Sequence, residues 1–311
     1  MFMIRASVAL LMIVLAGSIL AHPAAGQGRK FQGFSISTGP EKELRDCSQV
    51  KLRVEDAEVL RSEQTRTLAQ GSASTLRIQA PHHGGIFVQG WDRGEYAIKA
   101  CLGAAGDNSA EAKALMDQLS LSVQDGQVTV KGPGDEPWIG YLIVQAPNGA
   151  SLDLESTNGP IALNGISATV QARTTNGPIS FTGVSGDVRA HAQNGPIDVS
   201  GNQGNFHVEA QNGPIGVDLE GSRWESGELE ATTQNGPLTL TLPESYQSSV
   251  HVESAGHSPV GCHAVQCKQA MRTWDRPNVI EFGDSTPVIR MSTVNGPVTI
   301  NSAGHKRRRD N

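Results

Sequence analysis

The sequence predicts an all-β protein, a right-handed parallel β-solenoid with coils of about 18 residues and one short helix in its N-terminal half. Two observations carry that expectation: the tripeptide Asn-Gly-Pro recurs at a nearly fixed interval, and the residues between its copies alternate apolar and polar. The copies are Asn158-Gly159-Pro160, Asn176-Gly177-Pro178, Asn194-Gly195-Pro196, Asn212-Gly213-Pro214, Asn235-Gly236-Pro237 and Asn295-Gly296-Pro297, at intervals of 18, 18, 18, 23 and 60 along the chain. Three identical intervals are not a product of composition. Self-similarity at a short period marks a repeat architecture, in which each unit buries its apolar face only by stacking on the next.

Each repeat reads as strand, turn, strand, turn. Val170, Ala172 and Thr174 precede one turn and Ile179 and Phe181 follow it; Val188, Ala190, Ala192, Ile197 and Val199 repeat the pattern, as do Phe206, Val208, Ala210, Ile215 and Val217. Period two means strands with one face inward, and parallel crossovers take the right hand. The turn chemistry fits: Asn tolerates the left-handed conformation, Gly takes angles other residues avoid, and Pro is accepted as the first residue of a strand. Asn-Gly alone would suggest a hairpin, but the period holds two strands and the following Pro removes an amide that a tight hairpin often needs. Coils stacked about 4.8 Å apart would align the Asn side chains as an amide ladder.

Outward positions form columns too: Glu155, Arg173, His191 and Glu209 in one, Asp153, Gln171, Arg189, His207 and Glu230 in another. Alternating signs suit solvated faces with weak ion pairs. A metal held by His191, His207 and Glu209 would need two columns to converge.

Residues 27–147 lack the strict repeat but keep strand signals at Leu52 and Val54, Leu76 and Ile78, Ile86 and Val88, Val128 and Val130, and Leu142 and Val144. His83-Gly84-Gly85-Ile86 reads as a worn Asn-Gly-Pro-Ile turn. Helix formers run from Ser109 to about Leu119. This region is expected to extend or cap the solenoid of residues 148–302, with Ile289, Met291, Val298 and Ile300 forming its last coil. Residues 303–311 end in the basic run His305-Lys306-Arg307-Arg308-Arg309, read as a solvated tail.

Residues 1–26 read as a signal peptide, with Arg5, an apolar run from Ala6 to Leu20 and small residues through Gly26. Without them the net charge moves from −6 to about −7, because Arg5 is the only charged residue removed, and that balance argues against a nucleic-acid partner. No later stretch approaches the roughly 18 to 20 apolar residues of a transmembrane helix. Four cysteines in an exported chain make disulfides the expectation. Three pairings exist; Cys47 with Cys101 and Cys262 with Cys267 are preferred. Neither C-x-x-C nor a zinc-finger quartet of Cys and His occurs.

The Asn-Gly-Pro-Ile coils, the segment Gly85-Ile86-Phe87-Val88-Gln89-Gly90-Trp91-Asp92 and the leader resemble a bacterial β-strand-repeat family of unknown function whose members are proposed adhesins. The resemblance implies an exported, non-enzymatic binding module of the cell envelope, with a surface glycan or an envelope protein as partner and no cofactor. A purely structural envelope protein and a polysaccharide-active enzyme are the alternatives. Glycoside hydrolysis needs paired carboxylates, and nothing marks a pair among Asp187, Asp198, Asp218 and Glu220. No nucleophile elbow, zinc helix or phosphate loop is present. The period breaks around Trp224, Tyr246 and Trp274, at the turn opposite the Asn ladder. These rings either fold back on the scaffold or form an aromatic contact platform for a ligand.

Overall fold

The computed structural model describes residues 33–38, 44–54, 57, 59–134, 137–256, 258–268, 278–283, 286 and 288–303. The expected leader and residues 304–311 of the basic tail lie outside them. In chain order, β1 (Phe34–Thr38) pairs antiparallel with β2 (Val50–Val54). Next come β3 (Val59–Ala69), β4 (Leu76–Gln79), β5 (Gly84–Trp91) and β6 (Glu95–Ala105). The helix α1 (Ser109–Met116) is followed by β7 (Ser120–Gln124), β8 (Gln127–Lys131) and β9 (Trp138–Pro147). Five coils follow as strand pairs: β10 (Ala150–Asn158) with β11 (Ile161–Asn164), β12 (Ser167–Asn176) with β13 (Ile179–Thr182), β14 (Ser185–Asn194) with β15 (Ile197–Gly201), β16 (Asn205–Asn212) with β17 (Ile215–Leu219), and β18 (Leu229–Asn235) with β19 (Leu238–Leu242). The chain ends with β20 (Val250–Ser254), β21 (Val260–Cys262), β22 (Val279–Phe282), β23 (Ile289–Asn295) and β24 (Val298–Ser302).

These strands build two long sheets, largely parallel, in a solenoid-like stack. The first sheet runs β7-β8-β4-β10-β12-β14-β16-β18-β23-β20-β22, and the second runs β3-β6-β9-β5-β11-β13-β15-β17-β19-β24-β21. Inward residues of both sheets merge in one apolar core. One column of it runs Ile86, Ile161, Ile179, Ile197, Ile215, Leu238 and Val298, each in register with the next and at most 1 % exposed. Identical side chains stack because the repeat of the sequence is also the step between paired strands, which sets Ile161 on Ile179 and Ile179 on Ile197.

The structure revises the reason for glycine in the Asn-Gly-Pro turn. None of Gly159, Gly177, Gly195, Gly213, Gly236 and Gly296 has a positive φ, and neither do the asparagines before them. Each glycine instead lies against the carbonyl oxygen of the equivalent glycine one coil back, so a Cβ would collide with backbone. Left-handed glycines serve the other turn, where Gly165 and Gly183 have φ of 57° and 58°. The asparagine amides link in series: Asn176 donates to Asn158 at 2.9 Å, Asn194 to Asn176 and Asn212 to Asn194 at 3.1 Å, Asn235 to Asn212 at 3.0 Å and Asn295 to Asn235 at 2.9 Å.

Two residues before the asparagine, buried hydroxyls reach the glycine carbonyl of the preceding coil. Ser156 donates to Gly84 at 3.1 Å, Thr233 to Gly213 at 2.9 Å and Thr293 to Gly236 at 2.9 Å. Each such bond contributes about 1 kcal/mol and satisfies an acceptor shut away from water.

Coil order in space departs from coil order in the chain at both ends. The strands β4 and β5 lie between β8 and β9 on one side and β10 and β11 on the other. Likewise β23 and β24 lie between the β18–β19 coil and the β20–β21 coil. The coil of Ile289, Met291, Val298 and Ile300, expected as the last rung, is therefore an inner one. The long interval between Asn235 and Asn295 thus separates adjacent rungs of the ladder.

A small layer covers the N-terminal part of the second sheet's outer face. Leu44, Val50, Leu52 and Val54 bury Phe87, Tyr141, Ile143 and Ala162. Cys47 bonds to Cys101 with the Cα atoms 5.3 Å apart, closing a loop for which chain entropy gives about 4 kcal/mol. Lys99 reaches Asp46 at 3.3 Å and Glu63 at 3.1 Å. The Ser48 amide and then Lys99 hold the Asp46 carboxyl below the usual carboxylate range. The Asn108 side chain caps α1 by accepting from the Ala110 and Glu111 amides, both at 3.0 Å, and Ala112, Leu115 and Met116 are buried.

Two substitutions test this packing. Gly195→Ala should lower unfolding free energy by at least about 2 kcal/mol, whereas Gly94→Ala, whose Cβ meets nothing within 4 Å, should stay within about 0.5 kcal/mol; urea melts with equal values for both would refute the contact. Ile197→Asp buries an unpaired charge in the central column and should abolish cooperative melting of the stack.

Candidate functional site

Burial fixes the inward half of each strand, so a site on this scaffold has to be built from outward residues. On the first sheet these form an open trough of about 840 Å³ crossing β4, β10, β12, β14, β16 and β18. Its floor residues Leu152, Val170, Val188 and Phe206 are buried, at 4 % exposure or less. What faces solvent is polar: the register aligns Arg77, Asp153, Gln171, Arg189, His207 and Glu230 in one column, beside a second of Ser151, Thr169, Asp187 and Asn205.

Most of these groups are satisfied by a neighbour one coil away. Asp153 lies 2.9 Å from Arg173 and 3.9 Å from Arg77. His207 contacts Glu230 at 3.1 Å, Arg290 contacts Glu228 at 2.7 Å, and Asn205 donates to Asp187 at 2.7 Å. Exposed pairs of this kind contribute about 0 to 1 kcal/mol each, so they organise the surface more than they stabilise it. Arg189 stands apart: among the described residues it makes no hydrogen bond or ion pair. Gln171 and His207 flank it in its own column.

The outward columns of the sequence analysis are thus the columns of this face. His191 lies 3.7 Å from Glu209 in the neighbouring column while His207 turns to Glu230. Among the described residues no three His, Cys, Asp or Glu side chains gather as a metal site. Asp187 faces outward from the first sheet, whereas Asp198 and Asp218 face outward from the second, on β15 and β17. Glu220 lies past the end of β17 and accepts from Ser200 at 2.9 Å. No described Asp or Glu is buried.

A family model matches residues 48–261 and describes the Toastrack DUF4097 fold. The chain belongs to that family. No curated protein matches it. Solved structures with a similar course include a proposed cell adhesion protein from Clostridium sporogenes, at 10 % identity over 78 % of this chain and 100 % of that one, with a TM-score of 0.32. A proposed adhesin from Bacteroides fragilis has 12 % identity over 78 % and 97 %, with a TM-score of 0.36. A proposed lipid-binding protein from Parabacteroides distasonis has 10 % identity over 78 % and 96 %, with a TM-score of 0.31.

In this Toastrack chain the described members of the expected aromatic platform, Trp224 and Tyr246, are folded onto the scaffold. Trp224 and Tyr246 are 6 % and 4 % exposed. The Trp224 ring meets Phe206 edge-on at 6.0 Å, and its indole N–H donates to the Gly204 carbonyl at 3.1 Å. Burial pushes the Tyr246 hydroxyl up to about 12, and that hydroxyl has no hydrogen bond of good geometry. The rings fold back because the inserted residues 220–228 and 243–249 leave the end of the core open, and large aromatics close it. Trp274 lies outside the described residues. Cys262 and Cys267 are bonded, with Cα atoms 5.8 Å apart, and between them the Gln266 amide donates to the Pro243, Glu244 and Tyr246 carbonyls at 3.0, 3.1 and 3.3 Å. Nothing in the sequence pattern singled out Gln266 or the unpartnered Arg189, because both roles depend on which loops and coils become neighbours.

Trp224→Ala should cost about 3 to 5 kcal/mol of stability, as loss of a buried aromatic does. Chemical denaturation is the measurement, and a midpoint equal to the parent's would return Trp224 to the list of surface candidates.

Proposed function

We propose that this protein is exported to the periplasm or beyond and acts, without catalysis, as a binding module of the cell envelope that holds an extended glycan chain in the trough of the first sheet. The observation that carries this reading is the trough itself: hydrogen-bonding side chains repeated along the stack over an apolar floor that is sealed. Six strands about 4.8 Å apart span about 24 Å, a length suited to a polymer segment rather than a small metabolite. With its apolar residues at 4 % exposure or less, the trough presents mainly polar side chains, which suit hydroxyl groups better than an acyl chain.

The leader at 1–26 and the two disulfides support export, and no helix among the described residues is long and apolar enough to cross a membrane. The carboxylates support a non-catalytic role, because a general acid is ordinarily made by desolvating one, and every described carboxylate is at least partly accessible. Residues 27–147 act as the N-terminal extension and cap of the stack, whose coils wind with the right hand.

A blocking experiment tests the assignment. Thr169→Cys, coupled to a bulky maleimide in the trough, should abolish retention on immobilised envelope polysaccharide. The same label on Thr239→Cys, exposed on the second sheet's outer face, should leave it unchanged. Equal retention for both labelled proteins would overturn the trough as the site.

A further inference from the structure

Resting on that reading, we infer that the glycan is neutral and that Asp187 and Arg189, flanked by Asn205 and Gln171, form the subsite that grips its hydroxyl groups. The argument begins with the charges. Arg77 and Arg173 share Asp153, Arg290 is matched to Glu228, and His207 leans on Glu230. The trough lining itself carries Arg77 and Arg189 against Asp153, Asp187, Glu228 and Glu230, so it is net acidic. That acidic lining and the chain's net charge of −6 both repel polyanions. A neutral ligand meets no such penalty.

Local chemistry then chooses the contact point. Asp187 and Arg189 lie on the same outward side of β14, two residues and thus about 6.6 Å apart. They are not paired with each other: Asp187 accepts from Asn205, which leaves carboxylate acceptor capacity to spare, and Arg189 makes no described contact. A carboxylate only accepts and a guanidinium only donates. Side by side and unspent, they complement a group that both donates and accepts, and adjacent sugar hydroxyls do both. Gln171, in register with Arg189, extends the same mixed chemistry one coil along. Phe206 is 4 % exposed, so among the described residues no Phe, Tyr or Trp face is open to stacking in the trough, and the hydroxyl contacts carry the specificity.

The test uses the full chain without its leader, with biolayer interferometry against neutral polysaccharides (a β-glucan, a mannan and a galactan) and acidic ones (polygalacturonate and heparin), at low and at high NaCl. Retention by at least one neutral polymer is expected, with an affinity changed less than threefold by salt. Asp187→Ala and Arg189→Ala should each weaken it at least tenfold with unchanged melting temperature, and Arg66→Ala on β3 should not. Preference for the acidic polymers, with affinity falling steeply in high salt, would overturn the neutral assignment while leaving the trough as the site. Neutral binding that is indifferent to Asp187→Ala and Arg189→Ala, yet blocked by the maleimide at position 169, would overturn the subsite alone. Binding to none of the five polymers would overturn the inference, and the blocking experiment on whole envelope polysaccharide then decides separately whether the trough reading survives.

Discussion

A glycine laid against the carbonyl of the glycine one coil back sets the spacing of this structure. Because no Cβ intervenes at Gly159, Gly177, Gly195, Gly213, Gly236 or Gly296, the backbones approach to strand-pairing distance at the turn as well as along the strands. That approach brings the asparagine amides into hydrogen-bonding range and lets Ser156, Thr233 and Thr293 reach the carbonyls behind them. It also fixes the register that stacks Ile161, Ile179, Ile197 and Ile215. Proline fits after the glycine because the next inward residue supplies the hydrogen bond instead, as when the Ile179 amide donates to the Pro196 carbonyl at 2.9 Å.

Since the inner half of each strand is committed to that stack, chemistry is confined to the outer half. There the same register converts a change of one residue per coil into a column of different groups at regular spacing. The result is a broad polar surface without a desolvated pocket. Such a surface suits many weak, repeated contacts and is poorly suited to perturbing the acidity of a single group. The second sheet offers a contrasting face: beyond the covered Ala162 its outward positions carry short side chains, with Ser180, Thr182, Ser200, Thr239 and Thr241 beside Asp198 and Asp218, and, among the described residues, no arginine.

Much of this was legible from the sequence, because a fixed period constrains every coil at once. The strands, the inward columns, the asparagine ladder and the two outward columns all follow from alternation and spacing. Three features did not, for distinct reasons. The glycines looked like residues chosen for unusual backbone angles, whereas their neighbours in the next coil decide the matter. The positions of β4–β5 and β23–β24 depend on strand pairings that no local pattern encodes. For Trp224 and Tyr246, in polar, irregular insertions, the sequence left fold-back and an exposed platform both open, and only the packing around them selects fold-back.

The inward placement of the two end coils has a mechanical consequence. In a simple stack, tension on an outermost coil peels it away one hydrogen bond at a time. Here β4–β5 and β23–β24 each have hydrogen-bonded partners on both sides, so withdrawing either coil requires sliding it out between two ladders, with both loaded in shear together. A pull on the chain beyond Ser302 enters through β24, which is held between β19 and β21, so that load meets two ladders in shear before it reaches an edge strand.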